Sequence, residues 1–190
     1  MKQLVLLPAL ALVAVVALAV PAGATEDGTT SSAVTPSSIG PPTEYDRTFL
    51  ISAARVGIAE VLQGTVASQR GVDPMVREYG TEMIRDHFAQ VLQQLPIHLF
   101  YGVPVPATTP EQDAQLFALL AEPQEAFDQA YLTAQVAAHV QAVELFRSAT
   151  TEADNVFVAA FAAQQLPLLE MHLAHAQALL AEVGEGAPVQ

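Results

Sequence analysis

The sequence predicts an all-α protein, a four-helix bundle with one long connection between its second and third helices. Three observations lead to this fold class. In four long segments, apolar residues recur at steps of three and four, which places them on one face of a helix. Capping residues, proline and glycine mark the ends of these segments. Alternating apolar and polar runs bounded by turn residues, which would indicate strands, do not occur in the sequence.

The first two predicted helices have clear starting signals. Thr43 is followed three residues later by Asp46, a spacing that resembles a capping box, so we expect the first helix over residues 44–70. Asp73 precedes a proline and can cap the second helix, because proline is favoured at the first helical position. We expect this second helix over about residues 74–99.

The connection that follows is long and contains a short helix. Residues 101–110 hold three prolines and are predicted to form a loop, which leads into a short helix ending near Ala121. We expect Pro123 to open the third helix of the bundle, and Thr151 to cap the fourth, which Gly184 closes. A connection of more than twenty residues can run the length of a bundle. It favours parallel second and third helices, the ferritin-like arrangement with one long crossover.

The N-terminal residues 1–24 have the pattern of a secretory signal peptide. Lys2 precedes an apolar run from Leu4 to Val20, and Ala22-Gly23-Ala24 offers small residues before a cleavage point at Thr25. We therefore expect an extracytoplasmic protein, secreted or held in the cell envelope, with no membrane span after cleavage. An uncleaved anchor is the alternative, since the apolar run is just long enough to approach a spanning helix.

The rest of the chain divides into a leader, a domain and a tail. Residues 25–43 are rich in Thr, Ser, Gly and Pro, and we expect them to be a disordered leader because they contain too little apolar surface to fold. Residues 44–185 form the predicted helical domain, which is large enough to fold on one core. Residues 186–190 are a short tail.

Composition excludes several classes of function. The chain has 190 residues, a formal net charge of −13, seven Lys or Arg residues and no Cys. Disulfides, cysteine-ligated zinc, iron–sulfur clusters and cysteine nucleophiles are therefore excluded. With so few basic residues, neither nucleic-acid binding nor docking on anionic lipid is expected.

Each predicted helix of the bundle carries an ionisable residue near the middle of its buried face. Positions eleven apart share a helix face, because eleven residues make three turns plus about 20°. That spacing relates four pairs: Phe49 and Glu60, Val76 and His87, Asp128 and His139, and Phe161 and His172. A charge removed from water needs a partner, a hydrogen bond or a metal. The predicted metal ligands are Glu60, Asp86, His87, His139 and His172.

Counting residues from the turns gives the expected heights of these side chains along the bundle. If Glu152 is the tip of the second hairpin, His139 and His172 differ by seven residues, roughly 10 Å along the axis. That separation is too large for the two rings to share one ion. We therefore expect Glu60, His87 and His139 to face one interior space, with Asp86 close by and His172 nearer the opposite layer.

Several short stretches resemble the domain-of-unknown-function family 4142, a ferritin-like family found in bacterial exported proteins. The matching pieces run over about residues 44–181 and are Asp46 to Phe49, Gly57 with Glu60-Val61, Met83-Ile84 with Asp86-His87, Phe127-Asp128 with Tyr131, His139, and Leu166-Pro167 with His172. The resemblance implies a four-helix bundle, an exported location and no established activity. The relation to ferritins suggests metal, but the Glu-x-x-His pair of ferritin-type di-iron sites is absent, since Ile84 and Leu169 stand three residues before His87 and His172.

Three functions from different classes remain open at this point. The first is an exported binding protein that holds a divalent transition metal, zinc, copper, iron or manganese, inside the bundle through carboxylates and histidines. The second is a structural or interaction protein of the envelope whose buried polar residues only fix the helix register. The third is a ferritin-like oxidase, which requires two ions bridged by carboxylates. No catalytic residue is predicted, because no Ser-His-Asp arrangement, phosphate loop or HExxH motif supports another enzyme class.

Overall fold

The computed structural model describes residues 38–185 and is all-helical over that range, apart from one isolated bridge between Ser38 and Asn155. It contains five helices: α1 (Glu44–Arg70), α2 (Pro74–Tyr101), α3 (Pro110–Ala121), α4 (Phe127–Glu152) and α5 (Val156–Glu185). The all-α fold class is confirmed. The predicted signal peptide (1–24), most of the predicted leader (25–37) and the tail (186–190) lie outside the described residues.

The four long helices form two antiparallel hairpins, α1 with α2 and α4 with α5, and the crossover between them carries α3. Asp128 at the start of α4 accepts hydrogen bonds from the backbone N–H groups of Val72 and Asp73, in the turn between α1 and α2. At the other end of the bundle, the hydroxyl of Tyr101 at the end of α2 receives a hydrogen bond from Asn155, in the turn between α4 and α5. The crossover therefore spans the bundle, and α2 and α4 run parallel as predicted.

The predicted caps account for the helix starts that were expected. Thr43 and Asp46 form a reciprocal capping box at the start of α1, since the hydroxyl accepts from the Asp46 N–H and the carboxylate accepts from the Thr43 N–H. Asp73 accepts from the Met75 N–H at the start of α2. Such caps satisfy backbone donors that have no partner within the helix.

The predicted starts of the last two long helices, at Pro123 and after Thr151, are wrong. Pro123 opens a turn, closed by the Ala126 N–H to its carbonyl, and α4 begins only at Phe127. Thr151 does not cap a helix but bonds within α4, its hydroxyl donating to the Ser148 carbonyl. The cap of α5 is instead Asn155, whose side-chain oxygen accepts from two backbone N–H groups in the first turn of α5.

The helix α2 is also longer than predicted. It continues past Pro96 to Tyr101, where Gly102 takes a left-handed conformation with φ of 64° and ends it. A proline removes one helical hydrogen bond, and the hydrogen bonds of the adjacent turns keep the helix continuous. The last turn of α2 therefore extends far enough to bring Tyr101 against the turn between α4 and α5.

The core consists of two apolar clusters separated by a polar layer. One cluster lies near the turn between α4 and α5 and is built around Phe49, Phe146 and Phe161. The other lies near the turn between α1 and α2, around Tyr79 and Phe127. In sequence, each long helix carries at least one buried polar residue between its contributions to the two clusters. The buried members of this polar layer are Glu60, Gln63, His87, Gln90, Gln135, His139 and His172.

Two helices, α1 and residues 156–184 of α5, are long and apolar enough to cross a membrane by length and composition alone. Each places an ionisable side chain in the polar layer, Glu60 from α1 and His172 from α5. Their apolar faces pack in the two clusters. Burial in a bundle is therefore sufficient to account for their apolar composition.

The end of the predicted disordered leader packs against the bundle, which corrects its boundary. The Ser38 N–H donates to the Asp154 carbonyl, and the Val156 N–H donates to the Ser38 carbonyl. The side chain of Asn155 donates to the Gly40 carbonyl. These hydrogen bonds order residues 38–43, whose sequence contains little apolar surface, by supplying partners for their backbone.

Candidate metal centre

Three histidines from three helices meet in the polar layer. His87 lies on α2, His139 on α4 and His172 on α5, and all three side chains are at most 1% exposed. Their ring centroids are 5.6, 5.3 and 5.5 Å apart, which makes a nearly equilateral triangle. One nitrogen from each ring lies within 4.8 Å of the nitrogens of the other two. We call this group the histidine triangle.

Each ring of the histidine triangle has one nitrogen bonded to a fixed acceptor. The Nδ1 of His87 lies 2.8 Å from Oε1 of Gln90, and the Nδ1 of His139 lies 3.0 Å from the Gln135 carbonyl. The Nε2 of His172 lies 3.1 Å from Oδ2 of Asp86. Carbonyl and carboxylate oxygens can only accept, so each of these nitrogens carries the proton.

The other nitrogen of each ring has no hydrogen-bond partner in the part of the chain that the structure describes. These atoms are Nε2 of His87, Nε2 of His139 and Nδ1 of His172. In a neutral imidazole the nitrogen without the proton offers a lone pair. The three bonded acceptors therefore set the tautomers so that three buried lone pairs remain free.

Burial keeps at least two of these rings neutral. Removal from water lowers the pKa of His87 to about 4, with further lowering from the neighbouring histidines and an opposing effect from the Glu60 carboxylate. Burial also lowers the pKa of His172 to about 4, while Asp86 acts in the opposite direction. Neutral imidazole is the form that binds a metal ion.

Asp86 lies at the outer edge of the triangle, bonded to His172. Arg85 approaches its carboxylate with two nitrogens, Nε at 2.6 Å from Oδ1 and an η nitrogen at 2.8 Å from Oδ2. The hydrogen bond from Arg85 is the largest of the effects that lower the pKa of Asp86. The carboxylates of Glu82 and Asp86 also lie within 4.8 Å of a His172 nitrogen, and Glu82 is bonded to His175.

Glu60 lies on the opposite side of the polar layer and is 2% exposed. Its Oε2 accepts from the side-chain amide of Gln135 at 2.8 Å. The same residue, Gln135, provides the backbone carbonyl that orients His139. Glu60 is therefore one residue removed from the triangle and is not among the side chains that lie within 4.8 Å of one another.

Of the five predicted ligands, the structure brings three together and places two beside them. His87, His139 and His172 form the triangle, while Asp86 orients one ring and Glu60 lies behind another. The predicted separation of His139 and His172 is wrong. Their ring centroids are 5.5 Å apart, not roughly 10 Å.

The error comes from where the second hairpin turns. The helix α4 ends at Glu152 and α5 begins at Val156, so the centre of the turn lies near Asp154. Counted from there, His139 is 15 residues before the turn and His172 is 18 after it. A difference of three residues corresponds to about 4.5 Å along the axis, which two imidazole side chains can span.

The glutamines of this site were not predicted from the sequence. Gln90 follows His87 by three residues and Gln135 precedes His139 by four, so each lies on the same helix face as its histidine. A glutamine three or four residues from a histidine on an apolar stripe is the signal that could have identified them. Glu82, four residues before Asp86, could have been found in the same way.

Comparisons with known proteins agree with this fold. A family model described as "Domain of unknown function (DUF4142)" matches residues 31–179. Among solved structures, the chain resembles the crystal structure of a DUF305 fragment from Deinococcus radiodurans, with a TM-score of 0.68 and 16% identity, over 75% of this chain and 99% of that one. At this identity, the likeness shows the fold alone. None of the curated proteins matches the chain.

Proposed function

We propose that this chain, which belongs to the DUF4142 family of domains of unknown function, binds one transition-metal ion through His87, His139 and His172. The observation that carries the proposal is the set of three buried ring nitrogens without partners. One nitrogen of each ring lies within 4.8 Å of one nitrogen of each of the other two, and three points so separated lie within about 2.8 Å of a common centre, while a zinc–imidazole bond is about 2.0–2.1 Å long. Side-chain shifts of less than about 1 Å would complete the bonds.

The hydrogen bonds around the triangle support this proposal. In metal sites, a ligating histidine donates its other N–H to a carboxylate, carbonyl or water, which fixes both the tautomer and the direction of the ring. Here Gln90, Gln135 and Asp86 supply those acceptors. The arrangement thus has the outer hydrogen bonds of a metal site as well as its ligands.

The charge around the triangle also suits a divalent cation. A ligating imidazole carries no charge, so the charge beside the triangle comes from the carboxylates of Asp86 and Glu82 near His172 and of Glu60 behind Gln135. Glu60 is buried, and the hydrogen bond that it accepts comes from a neutral amide. A buried carboxylate without a cationic partner is costly, and an ion of charge +2 nearby would compensate it.

The donor set favours zinc, copper and iron over manganese. Imidazole nitrogens suit the first three ions, whereas manganese prefers oxygen ligands. Three histidines leave a fourth coordination position for water or another small ligand, as in catalytic zinc sites. We limit the proposal to binding, since a ferritin-type oxidase needs two ions bridged by carboxylates and the triangle contains nitrogen ligands alone.

The alternative is an envelope protein in which the histidines serve only as core hydrogen-bond partners. That role accounts for the bonded nitrogen of each ring but leaves the second nitrogen unsatisfied. An unsatisfied buried polar atom costs about 1–3 kcal/mol, so three of them in one layer would be a considerable burden. A single ion would satisfy all three.

Thermal unfolding of metal-stripped protein tests the proposal. At a free-ion concentration 100 times the Kd, binding stabilises the folded state by about 2.7 kcal/mol, which raises the Tm of a domain of this size by roughly 5–10 °C. Zinc, copper or ferrous iron should produce this shift, and a His87→Ala, His139→Ala double variant should lose it. If no ion shifts the Tm of the wild-type protein, the proposal is wrong.

His98 provides the matched control for those variants. It is also buried, its Nδ1 is bonded to the Val103 carbonyl, and its Nε2 has no partner among the described residues, but it lies outside the triangle. A His98→Ala variant should therefore lower the Tm of the metal-free protein and keep the full metal-induced shift. If His98→Ala also loses the metal-induced Tm shift, then its loss in the double variant reflects general destabilisation and not the removal of ligands.

We also propose that the protein acts outside the cytoplasm. The support is the signal-peptide pattern of residues 1–24, which lie outside the described residues. N-terminal sequencing of the protein recovered from its native host should find Thr25 as the first residue. Recovery of an intact Met1 on membrane-bound protein would contradict this.

A further inference from the structure

We infer that a cleft between α1, α3 and α4 is the passage through which the metal ion enters and leaves the histidine triangle. The inference rests on the proposed metal binding. All three histidines are at most 1% exposed, so an ion from solvent cannot reach them without a path through the bundle. An entry path is one of the features that a metal site requires.

The cleft is a cavity of about 570 Å³ that opens between the two hairpins. Small side chains create the space: Ala59 on α1 faces Ala134 and Ala138 on α4. The helix α3 lies over the cleft and is held to α1 by a hydrogen bond from the Gln112 side chain to the Arg55 carbonyl. A volume of this size admits a hydrated ion with room to spare, since a water molecule occupies about 30 Å³ in the liquid.

Glu60 lines this cleft as well as the polar layer. Its carboxylate contacts the amide of Gln135, whose backbone carbonyl in turn orients His139. An ion in the cleft would thus meet one buried carboxylate, which is linked to His139 through Gln135. The other charged residues that line the cleft are Arg55 and Glu111, so the three charges together leave it at −1, which favours a cation.

On the opposite side of the triangle, the carboxylates of Asp86 and Glu82 are partly exposed, but a guanidinium is bound to Asp86. There the residue next to His172 is Asp86, and both of its oxygens are occupied by the guanidinium of Arg85. Arg85 thus neutralises Asp86 directly, whereas Arg55 lines the cleft without forming an ion pair with Glu60 among the described residues. Of the three carboxylates beside the triangle, Glu60, Asp86 and Glu82, the one that lines the cleft is Glu60.

The rates at which the metal ion binds and dissociates distinguish a residue that lines the passage from a residue that binds the ion. A side chain that narrows the passage raises the same barrier for entry and exit, so it slows association and dissociation by one factor and leaves the Kd unchanged. A change at the site itself alters the Kd. We therefore expect Ala138→Phe to slow both rates by about tenfold, equivalent to a barrier higher by ~1.4 kcal/mol, with the same Kd as the wild-type protein.

The measurement uses whichever ion, Zn²⁺ or Cu²⁺, raises the Tm of the wild-type protein. Its dissociation rate is followed by transfer to an excess of a colorimetric indicator, and its Kd by equilibrium competition with the same indicator. Ala134→Leu is a milder second variant in case Ala138→Phe does not fold. Ala178→Phe, on the exposed face of α5 and outside the cleft, is the steric control and should leave the rates unchanged.

Each outcome bears on one of the two proposals. Failure of the wild-type protein to bind any ion overturns the proposed function. Binding with a wild-type dissociation rate in both folded cleft variants overturns the passage and leaves metal binding intact. Faster exchange in Arg85→Gln, together with unchanged rates in the cleft variants, would place the route on the Asp86 side and also overturn the inference.

Discussion

At the scale of the residue, the histidine triangle depends on which nitrogen of each imidazole donates a hydrogen bond and which keeps a free lone pair. Asp86 is the charged acceptor of the three, and a carboxylate bound to a ligating histidine increases the basicity of the ring as well as fixing its direction. Its position on α2, next to His87 in sequence, lets one helix supply a ring and also orient a ring from α5. In the proposed site, Asp86 would therefore act on the ion through His172, as a positioning residue.

Replacing Asp86 should weaken metal binding without unfolding the protein. We expect Asp86→Ala to lower the metal affinity roughly 10–100-fold, because His172 loses the acceptor that fixes its ring. The pair with Arg85 is exposed on the arginine side and contributes at most about 1 kcal/mol. The buried Nε2–H of His172 also loses its acceptor, at a cost of about 1–3 kcal/mol, so the Tm of the metal-free protein should fall by several degrees while the fold is kept. Competition with a chelator of known affinity measures the effect.

Two further variants separate orientation from general disturbance. Asp86→Asn keeps a side-chain oxygen that can accept from His172, so it should recover part of the affinity lost in Asp86→Ala. Glu82→Ala removes a nearby carboxylate that is bonded to His175 and should have a smaller effect. Equal affinity in the wild-type protein and Asp86→Ala would mean that Asp86 does not position His172.

The sequence was sufficient to identify the three histidines but not their ligand geometry. Spacing along a helix tells which face a residue occupies, and this placed His87, His139 and His172 on buried faces correctly. It does not tell how far a side chain reaches across the bundle. Glu60 and Asp86 fall on suitable faces as well, yet one is directed to Gln135 and the other to the outer edge of the triangle.

At the scale of the element, the α1–α2 hairpin is held together by a close approach of two glycines. A Cβ added to Gly64 would lie 2.7 Å from the Gly80 carbonyl oxygen, and one added to Gly80 would lie 2.7 Å from the Ser68 nitrogen. Real Cβ atoms do not approach backbone so closely, so either helix would have to move. The same hairpin carries Glu60 and His87.

Alanine at either glycine should therefore destabilise the protein, against the usual trend in helices. Glycine to alanine normally favours a helix by about 1 kcal/mol. Overpacking of this kind costs about 1–3 kcal/mol, and here the obstacle is backbone that cannot rotate away. We expect Gly64→Ala and Gly80→Ala each to lower the free energy of unfolding in urea, by up to about 2 kcal/mol net.

Gly184 supplies the matched control. It lies within α5, and a Cβ at that position would have no neighbour within 4 Å. Gly184→Ala should be neutral or slightly stabilising in the same denaturation experiment. Unchanged stability in Gly64→Ala and Gly80→Ala would mean that the hairpin can widen at no cost.

A helix end was predicted correctly where two residues cap each other's backbone, and wrongly where more than one residue could act as the cap. The start of α1 was correct because Thr43 and Asp46 satisfy each other's backbone. Near the second turn, Thr151 and Asn155 are both of a residue type that can cap a helix. Only the packed structure selects Asn155. That choice moved the turn by about two residues, which reduces the offset between His139 and His172 from seven residues to three.

At the scale of the whole molecule, the proposed ion would join the two hairpins. One ligand comes from the α1–α2 hairpin and two come from the α4–α5 hairpin, while the helices pack mainly within each hairpin. A polar layer between two apolar clusters weakens the core at the point where the ion would bind, because buried polar groups need partners. The net charge of −13 raises the local concentration of cations around the protein.

The ordered residues 38–43 lead to a prediction about the boundary of the folded unit. They interact with the turn between α4 and α5 and with the end of α2, where the Tyr101 hydroxyl donates to the Ile39 carbonyl. They also include Thr43, the cap of α1. Each hydrogen bond contributes about 0.5–1.5 kcal/mol and the cap about 1 kcal/mol.

A chain shortened to residues 38–190 should therefore unfold at the same temperature as residues 25–190, whereas residues 44–190 should be less stable by roughly 2–4 kcal/mol. Calorimetry of the three proteins measures the difference. The histidine triangle lies in the middle of the bundle, away from these contacts, so a metal ion should still raise the Tm of the shortest chain. If residues 44–190 and 38–190 melt together, the contacts of Ser38 and Thr43 contribute no stability, and the folded unit begins at Glu44 as the sequence predicted.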